Sequence, residues 1–211
     1  MPSNPTANPN ARRVRSAWPL YLIVFICIAP VVFALLVYYV PSLRPDEHSN
    51  YGALIDPQRA MPDSSALALT TLDGQPFDLD SLRGKWLLVT ADQSACPESC
   101  VRKLFILRNS HASQGKNVHR LARIWFVTDE GQVPEKVLEA YRGYHMLRAD
   151  PTQLAAFLAP QATDGDRQAA LRAPMWIIDP LGNLMMRFPE NADPLEVRGD
   201  ISKLLHSSRI G

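Results

Sequence analysis

Cysteine is scarce in this chain. Its 211 residues include only three, at positions 27, 96 and 100, and no second Cys or His pair at ligand spacing accompanies them, which argues against a structural zinc site. Net charge is scarce too. With 22 Lys and Arg against 21 Asp and Glu the formal charge is +1, and aromatics, at 8%, are not interleaved with basic clusters. The strong positive field that draws nucleic acid is therefore absent. No internal repeat is present. The length suits one ordinary domain with accessories.

What the chain does have is one long uncharged run, "WPLYLIVFICIAPVVFALLVYYV", from Trp18 to Val40. At about 1.5 Å per residue it covers the roughly 30 Å hydrocarbon core of a bilayer. Trp18, Tyr21, Tyr38 and Tyr39 lie near its ends, as interfacial aromatics do. Pro19 fits a first helical turn and Pro30 an interior kink. The run exceeds the 7–15 residues usual for the core of a cleaved signal peptide, so an uncleaved anchor over 18–40 is expected. Arg12, Arg13 and Arg15 precede it, and Arg44, Asp46 and Glu47 follow. The positive-inside rule places the tail, residues 1–17, in the cytoplasm and the rest outside, which in a bacterium means a single pass through the inner membrane and a periplasmic domain. Arg12-Arg13 reads as topology charge rather than a twin-arginine signal. Cys27 falls within the anchor as a small apolar residue.

Residues 1–11 are Pro- and Asn-rich and expected to be disordered. Residues 41–65 hold four prolines with little periodicity and read as a linker. The domain is expected over 66–207, long enough for one core. "SALALTTLDGQPFDLDSL" gives two short strands around the Asp73-Gly74 turn. "KWLLVTA" and "LARIWFVTD" are continuous apolar runs, hence buried strands. "CVRKLFILRNSHAS" carries Val101, Leu104, Phe105 and Leu107 at helical spacing. "VPEKVLEAYRGY" reads as a short helix and "HMLRAD" as a short strand. Asp150 and Asp193 are N-caps of two later helices, and a hairpin turns at Pro180–Asn183. Alternating strands and helices closed by a hairpin and a helix imply an α/β domain with a mixed sheet.

Cys96 and Cys100 stand between the first buried strand and the next helix. A helix N-terminus stabilises a thiolate, which makes Cys96 the expected attacking thiol and Cys100, about one turn further, the resolving one. Pro97 is tolerated in a first turn. A purely structural bridge over so few residues would constrain the unfolded chain least. Both readings stay open on spacing alone.

The order of strand, Cys pair on a helix N-terminus, then Pro174 entering a late hairpin resembles the thioredoxin superfamily. That resemblance implies a cis Ala173–Pro174 bond beside the thiols. "SACPESC", preceded by "FDLDSLRGKWLLVTA" and followed late by "IIDPLGNL", together with the anchor, is similar to the SCO/SenC family. The likeness covers about 66–207. It implies copper handling, and as partners a cytochrome c oxidase subunit or another copper or thiol assembly factor. By it, Cys96 and Cys100 are copper ligands as well as redox groups.

Two positions depart from the family pattern. Val101 replaces the proline after the second cysteine. No histidine occurs in "RQAALRAPMW", where the family's third copper ligand falls. Cu(I) accepts thioether ligands, and Met175, next to Pro174, is the candidate substitute, with plain packing as the alternative. His145 sits at a strand edge. His48, His111, His119 and His206 read as surface residues, and Arg102 and Lys103 as a charged helix face or as groups favouring a thiolate or an acidic partner. Glu98 raises the cysteine pKa values or faces water. Peroxidase chemistry is disfavoured because "ADQSACPESC" lacks a threonine shortly before Cys96. Two other functions compete with the SCO-like one: a general periplasmic thiol–disulfide oxidoreductase, as in cytochrome c maturation, and an interaction module whose disulfide is structural.

Overall fold

A computed structural model describes residues 17–40 and 50–211. The expectations for residues 1–16, including the disordered tail and the three arginines, and for 41–49 with His48, lie outside the described residues. The described chain forms two units, a helix before residue 49 and a domain after it.

The first unit is α1, Trp18–Tyr39. Its 22 residues have mean hydropathy 3.0 and no buried side chain, so by length and composition the helix can cross a membrane. Pro19 lies in the first turn and Pro30 in the interior, as the sequence implies.

The domain has an eight-stranded sheet in the order β1-β8-β7-β4-β5-β6-β2-β3. The strands are β1 Ala53–Ala60, β2 Leu69–Thr71, β3 Pro76–Phe77, β4 Trp86–Asp92, β5 Leu121–Val127, β6 His145–Ala149, β7 Met175–Ile178 and β8 Asn183–Phe188. β4, β5 and β6 are parallel, and every other pairing is antiparallel. All seven residues of β4 are buried, as a central strand covered on both faces requires.

Alternate residues of β4 feed two cores. Leu87, Val89 and Ala91 pack with Leu154, Phe157, Leu158 and Leu171 of α4 (Pro151–Leu158) and α5 (Arg167–Arg172). Trp86 and Leu88 pack on the other face with α2 (Glu98–Ala112) and α6 (Pro194–Ser207), through Leu104, Leu107, Val197 and Ile201. Tyr141 and Tyr144, which follow α3 (Glu135–Ala140), close that second core. Asp150 caps α4 by accepting from the N–H groups of Thr152 and Gln153, and Asp193 caps α6 through Leu195.

The structure corrects two expectations here. Residues 50–65 are not all linker, because β1 pairs with β8 along the sheet edge. Its mostly exposed pattern and internal Pro57 erase the alternation that marks a strand, and an edge is where proline is tolerated. The cis bond is Asp56–Pro57, and Ala173–Pro174 is trans. The reason is local. The six-residue helix α5 runs straight up to Pro174, with Ala173 in helical conformation and its N–H bonded to Ala169 O, so no tight turn compensates a cis bond there.

Candidate functional site

Cys96 and Cys100 are joined in a disulfide, their Cα atoms 5.1 Å apart. Both are buried: Cys96 is 6% exposed and Cys100 0%. Their neighbours Ala95, Pro97, Glu98 and Ser99 are exposed, so approach to the pair runs over that loop. The expected position holds, with Cys96 two residues before α2 and Cys100 in its first turn.

The loop is held in a special conformation. Cys96 has φ +42°, the one non-glycine residue in the left-handed region among the described residues. Such a backbone costs on the order of 1–3 kcal/mol and persists only where its surroundings impose it. Here the Cys96 N–H donates to Gln93 O at 3.0 Å, closing a turn. The Ser94 N–H donates to Asp129 Oδ1 at 2.9 Å, tying the turn to the loop after β5. Arg148 secures that second loop by donating to Asp129 O at 2.6 Å and Gly131 O at 3.0 Å. A Cβ at Gly131 would come 2.1 Å from Ser94 Oγ, so a larger residue there would have to displace that hydroxyl. Burial alone would raise the Asp129 pKa. The bonds from Ser94 and the charge of Arg148 outweigh it and leave the carboxyl below its usual range.

Beneath the loop lies a charge cluster. Lys103 Nζ sits 3.0 Å from Asp92 Oδ2, with the lysine and carboxylate side chains 4% and 0% exposed. The same nitrogen donates to Ala91 O at 2.9 Å and to Arg172 O. Arg172 Nε lies 4.0 Å from Asp92 Oδ1. One ammonium thus joins the end of β4, the helix carrying Cys100 and the end of α5. Burial lowers the Lys103 pKa, and Asp92 opposes that shift.

This cluster corrects the reading of Lys103 as part of a charged face. Its signal was present in the sequence: Lys103 falls on the same helical stripe as Cys100, Leu104 and Leu107, and Asp92 ends an otherwise apolar strand. Opposite charges on two surfaces that must both be buried imply a pair.

The other expected residues are placed as follows. Pro174 is buried, and Met175, 1% exposed, belongs to the apolar cluster that includes both cysteines. Met175 pairs with Thr90 on β4 and Phe188 on β8. Glu98 and Arg102 are exposed and line a cleft of about 520 Å³ with Ser99, Ala173, Glu190 and Asn191. His145 starts β6, beyond β5, against the Phe77 ring at 5.6 Å. His119 and His206 are exposed, whereas His111 is partly buried and its pKa is lowered by that burial and by Arg123. Among the described residues no three His, Cys, Asp or Glu side chains group as a metal site. Met186 belongs to the same cluster as Met175 and the two cysteines.

No curated protein sequence matches the chain. Solved structures of the same fold do. Copper-bound yeast Sco1 is 16% identical, over 72% of this chain and 91% of that one, with a TM-score of 0.51. A SCO1/SenC family lipoprotein from Bacillus anthracis is 14% identical, over 71% and 98%, with a TM-score of 0.52. BsSco, a member of the Sco family of cytochrome c oxidase assembly proteins in which a disulfide switch has been identified, is 14% identical, over 74% and 99%, with a TM-score of 0.52. At these identities the likeness establishes the thioredoxin-like fold. A family profile matches residues 86–208, more than half of the chain, from the start of β4 to just past α6. The chain therefore belongs to the family described as transmembrane-like, thioredoxin-like, C-terminal domain.

Proposed function

We propose that this chain is a single-pass membrane protein whose outward-facing dithiol acts on the cysteines of a copper-site protein, in the manner of the Sco proteins that share its fold. One observation carries the reading: a Cys-x-x-x-Cys disulfide, with Cys96 in a left-handed conformation, ahead of a helix N-terminus in a thioredoxin-like domain. The apolar α1 supports the anchor. The arginines before it support a cytoplasmic N-terminus and a periplasmic domain. The client by this reading is a cytochrome c oxidase subunit or a copper or thiol factor that serves it.

The exchange balances as follows. The Cys96 thiolate attacks a client disulfide and expels one client thiolate. The Cys100 thiolate then attacks Cys96 Sγ and expels the second. Two electrons pass to the client, and the protein is left with the disulfide described above. The helix N-terminus stabilises the attacking thiolate, and the burial of Cys100 keeps competing disulfides away from the resolving sulfur. Cu(I) is the second cargo: Cys96 and Cys100 would hold it, with Met175 as third donor.

A specific observation favours a second reading, a general periplasmic thiol–disulfide oxidoreductase. No histidine occurs in "RQAALRAPMW", where the SCO/SenC pattern has its third copper ligand, and none lines the cleft beside Glu98 and Ser99. Titration of Cu(I) against a competing chelator into the reduced full chain in detergent micelles separates the two. One-to-one binding that is lost in Cys96→Ser/Cys100→Ser supports copper handling, and further loss in Met175→Leu assigns the third donor. Wild-type binding no tighter than that of the double variant removes copper and leaves exchange alone.

A further inference from the structure

The disulfide opens onto an apolar ridge whose role the exchange chemistry leaves unassigned. Pro97, Val101 and Phe105 recur at i, i+4 and i+8, so they lie on one face along α2. All three are exposed; Val101 and Phe105 keep 37% and 47% of their surface in water, although α2 buries Leu104 and Leu107 completely. Eight residues of helix carry the ridge about 12 Å from the cysteine loop.

The ridge is braced from below. The Tyr141 hydroxyl donates to Val101 O at 3.2 Å. The Arg108 guanidinium stands 5.8 Å from the Phe105 ring centre and 5.5 Å from that of Tyr141, and it donates to Ala140 O at 3.0 Å. Phe105 is therefore held in place while facing solvent. Of the charged groups at this end of α2, Arg108 stands on the ridge side without an ion pair, whereas Glu98 and Arg102 turn to the cleft they line with Ser99, Ala173 and Glu190. Arg108 leaves the ridge positive at its far end.

Two features select an occupant. Cys100 is fully buried and Cys96 nearly so, and Pro97, where the ridge starts, is among the exposed residues next to Cys96, so the ridge begins beside the route a sulfur takes to it. The charge beyond the apolar strip complements an acidic group. Resting on the dithiol reading above, we propose that the Pro97–Val101–Phe105 ridge is the docking surface for the client polypeptide, and that it selects a segment whose cysteines are flanked by apolar residues followed by Asp or Glu.

The test uses the full chain in detergent micelles, reduced with dithiothreitol and desalted. Two synthetic peptides, each with one internal disulfide, are offered at equal concentration, one flanked by apolar and acidic residues and the other by Ser and Lys. Glutathione disulfide is the small control. Each reaction consumes one protein dithiol and yields one protein disulfide plus the reduced acceptor. The apolar-acidic peptide is expected to react at least 10-fold faster than its counterpart. Val101→Ser/Phe105→Ser should remove most of that preference, and Arg108→Gln part of it, while all variants reduce glutathione disulfide at the wild-type rate. Equal wild-type rates with both peptides would overturn the ridge while leaving the dithiol reading intact. No reaction with either peptide or with glutathione disulfide would overturn the dithiol reading first. Preference retained in the double-serine variant, with self-association lost on sizing, would assign the face to a second copy of the chain and also sink the proposal. A slowed glutathione reaction would mark a variant as structurally damaged, and Phe105→Leu, which keeps an apolar side chain, should then restore both rate and preference if the ridge is right.

Discussion

At the scale of single residues the strongest dependence is on the buried ion pair. Lys103 and Asp92 have no access to water, so removing one partner strands the other charge. Lys103→Met and Asp92→Asn are each expected to lower unfolding free energy by about 3–5 kcal/mol, whereas Lys103→Met/Asp92→Leu, which removes both charges, should recover much of it. Urea unfolding of the three variants checks this, and single variants at wild-type stability would show that the pair is solvated in solution. Asp129 gives a pH dependence with a fixed sign. Its folded-state pKa is depressed, so its contribution is complete above the unfolded value of about 4 and fades as pH falls through the lower folded value. The stability gap between wild type and Asp129→Asn should therefore shrink from about pH 5 toward pH 2. A gap that stayed constant over that range would show that Ser94 does not depend on the carboxylate.

These two sites also show what the residues disclosed and what they withheld. The cysteine pair was legible because it stands at the border between an apolar strand and an amphipathic helix, and both patterns are strong. Asp92 and Lys103 were readable only as partners, since each alone looks like an exposed charge. The tie from Ser94 to Asp129 spans 35 positions and depends on how two loops meet in space, which no local pattern encodes.

At the scale of elements, the buried strands, α2, α4, α6 and the hairpin followed from periodicity and capping. α5 and β1 did not. α5 has six residues and buries only Leu171, too short a segment for a helical stripe to show. β1 is an edge strand with one partner, so its outer face and proline hide the period-2 pattern. The difference has a practical consequence. A truncation beginning at residue 50 keeps β1 on β8, whereas one beginning at residue 66, where the sequence alone would place the boundary, bares the β8 edge. The longer form is expected to remain soluble and unfold cooperatively, and the shorter to aggregate or unfold at lower temperature. Thermal unfolding with light scattering on both distinguishes them, and identical behaviour would mean that β1 adds no stability.

At the scale of the whole domain, the sheet separates two tasks. One face carries α4 and α5 over an apolar core that includes Trp176 and Phe126. The other carries the cysteines, α2, α6 and the aromatic pair Tyr141 and Tyr144. The disulfide is thus confined to one face of the sheet.

The two ends of the strand order have a further consequence. One edge is β1, interrupted by Pro57 and by a register shift between Leu54 and Arg59. The other is β3, only two residues long and beginning with Pro76. Neither offers a long straight row of free N–H and C=O groups to a neighbouring sheet. For a domain tethered to a bilayer this matters more than for one free in solution, because confinement to a plane keeps identical domains colliding edge to edge. Blunted edges let such a tethered population stay crowded without stacking into fibres.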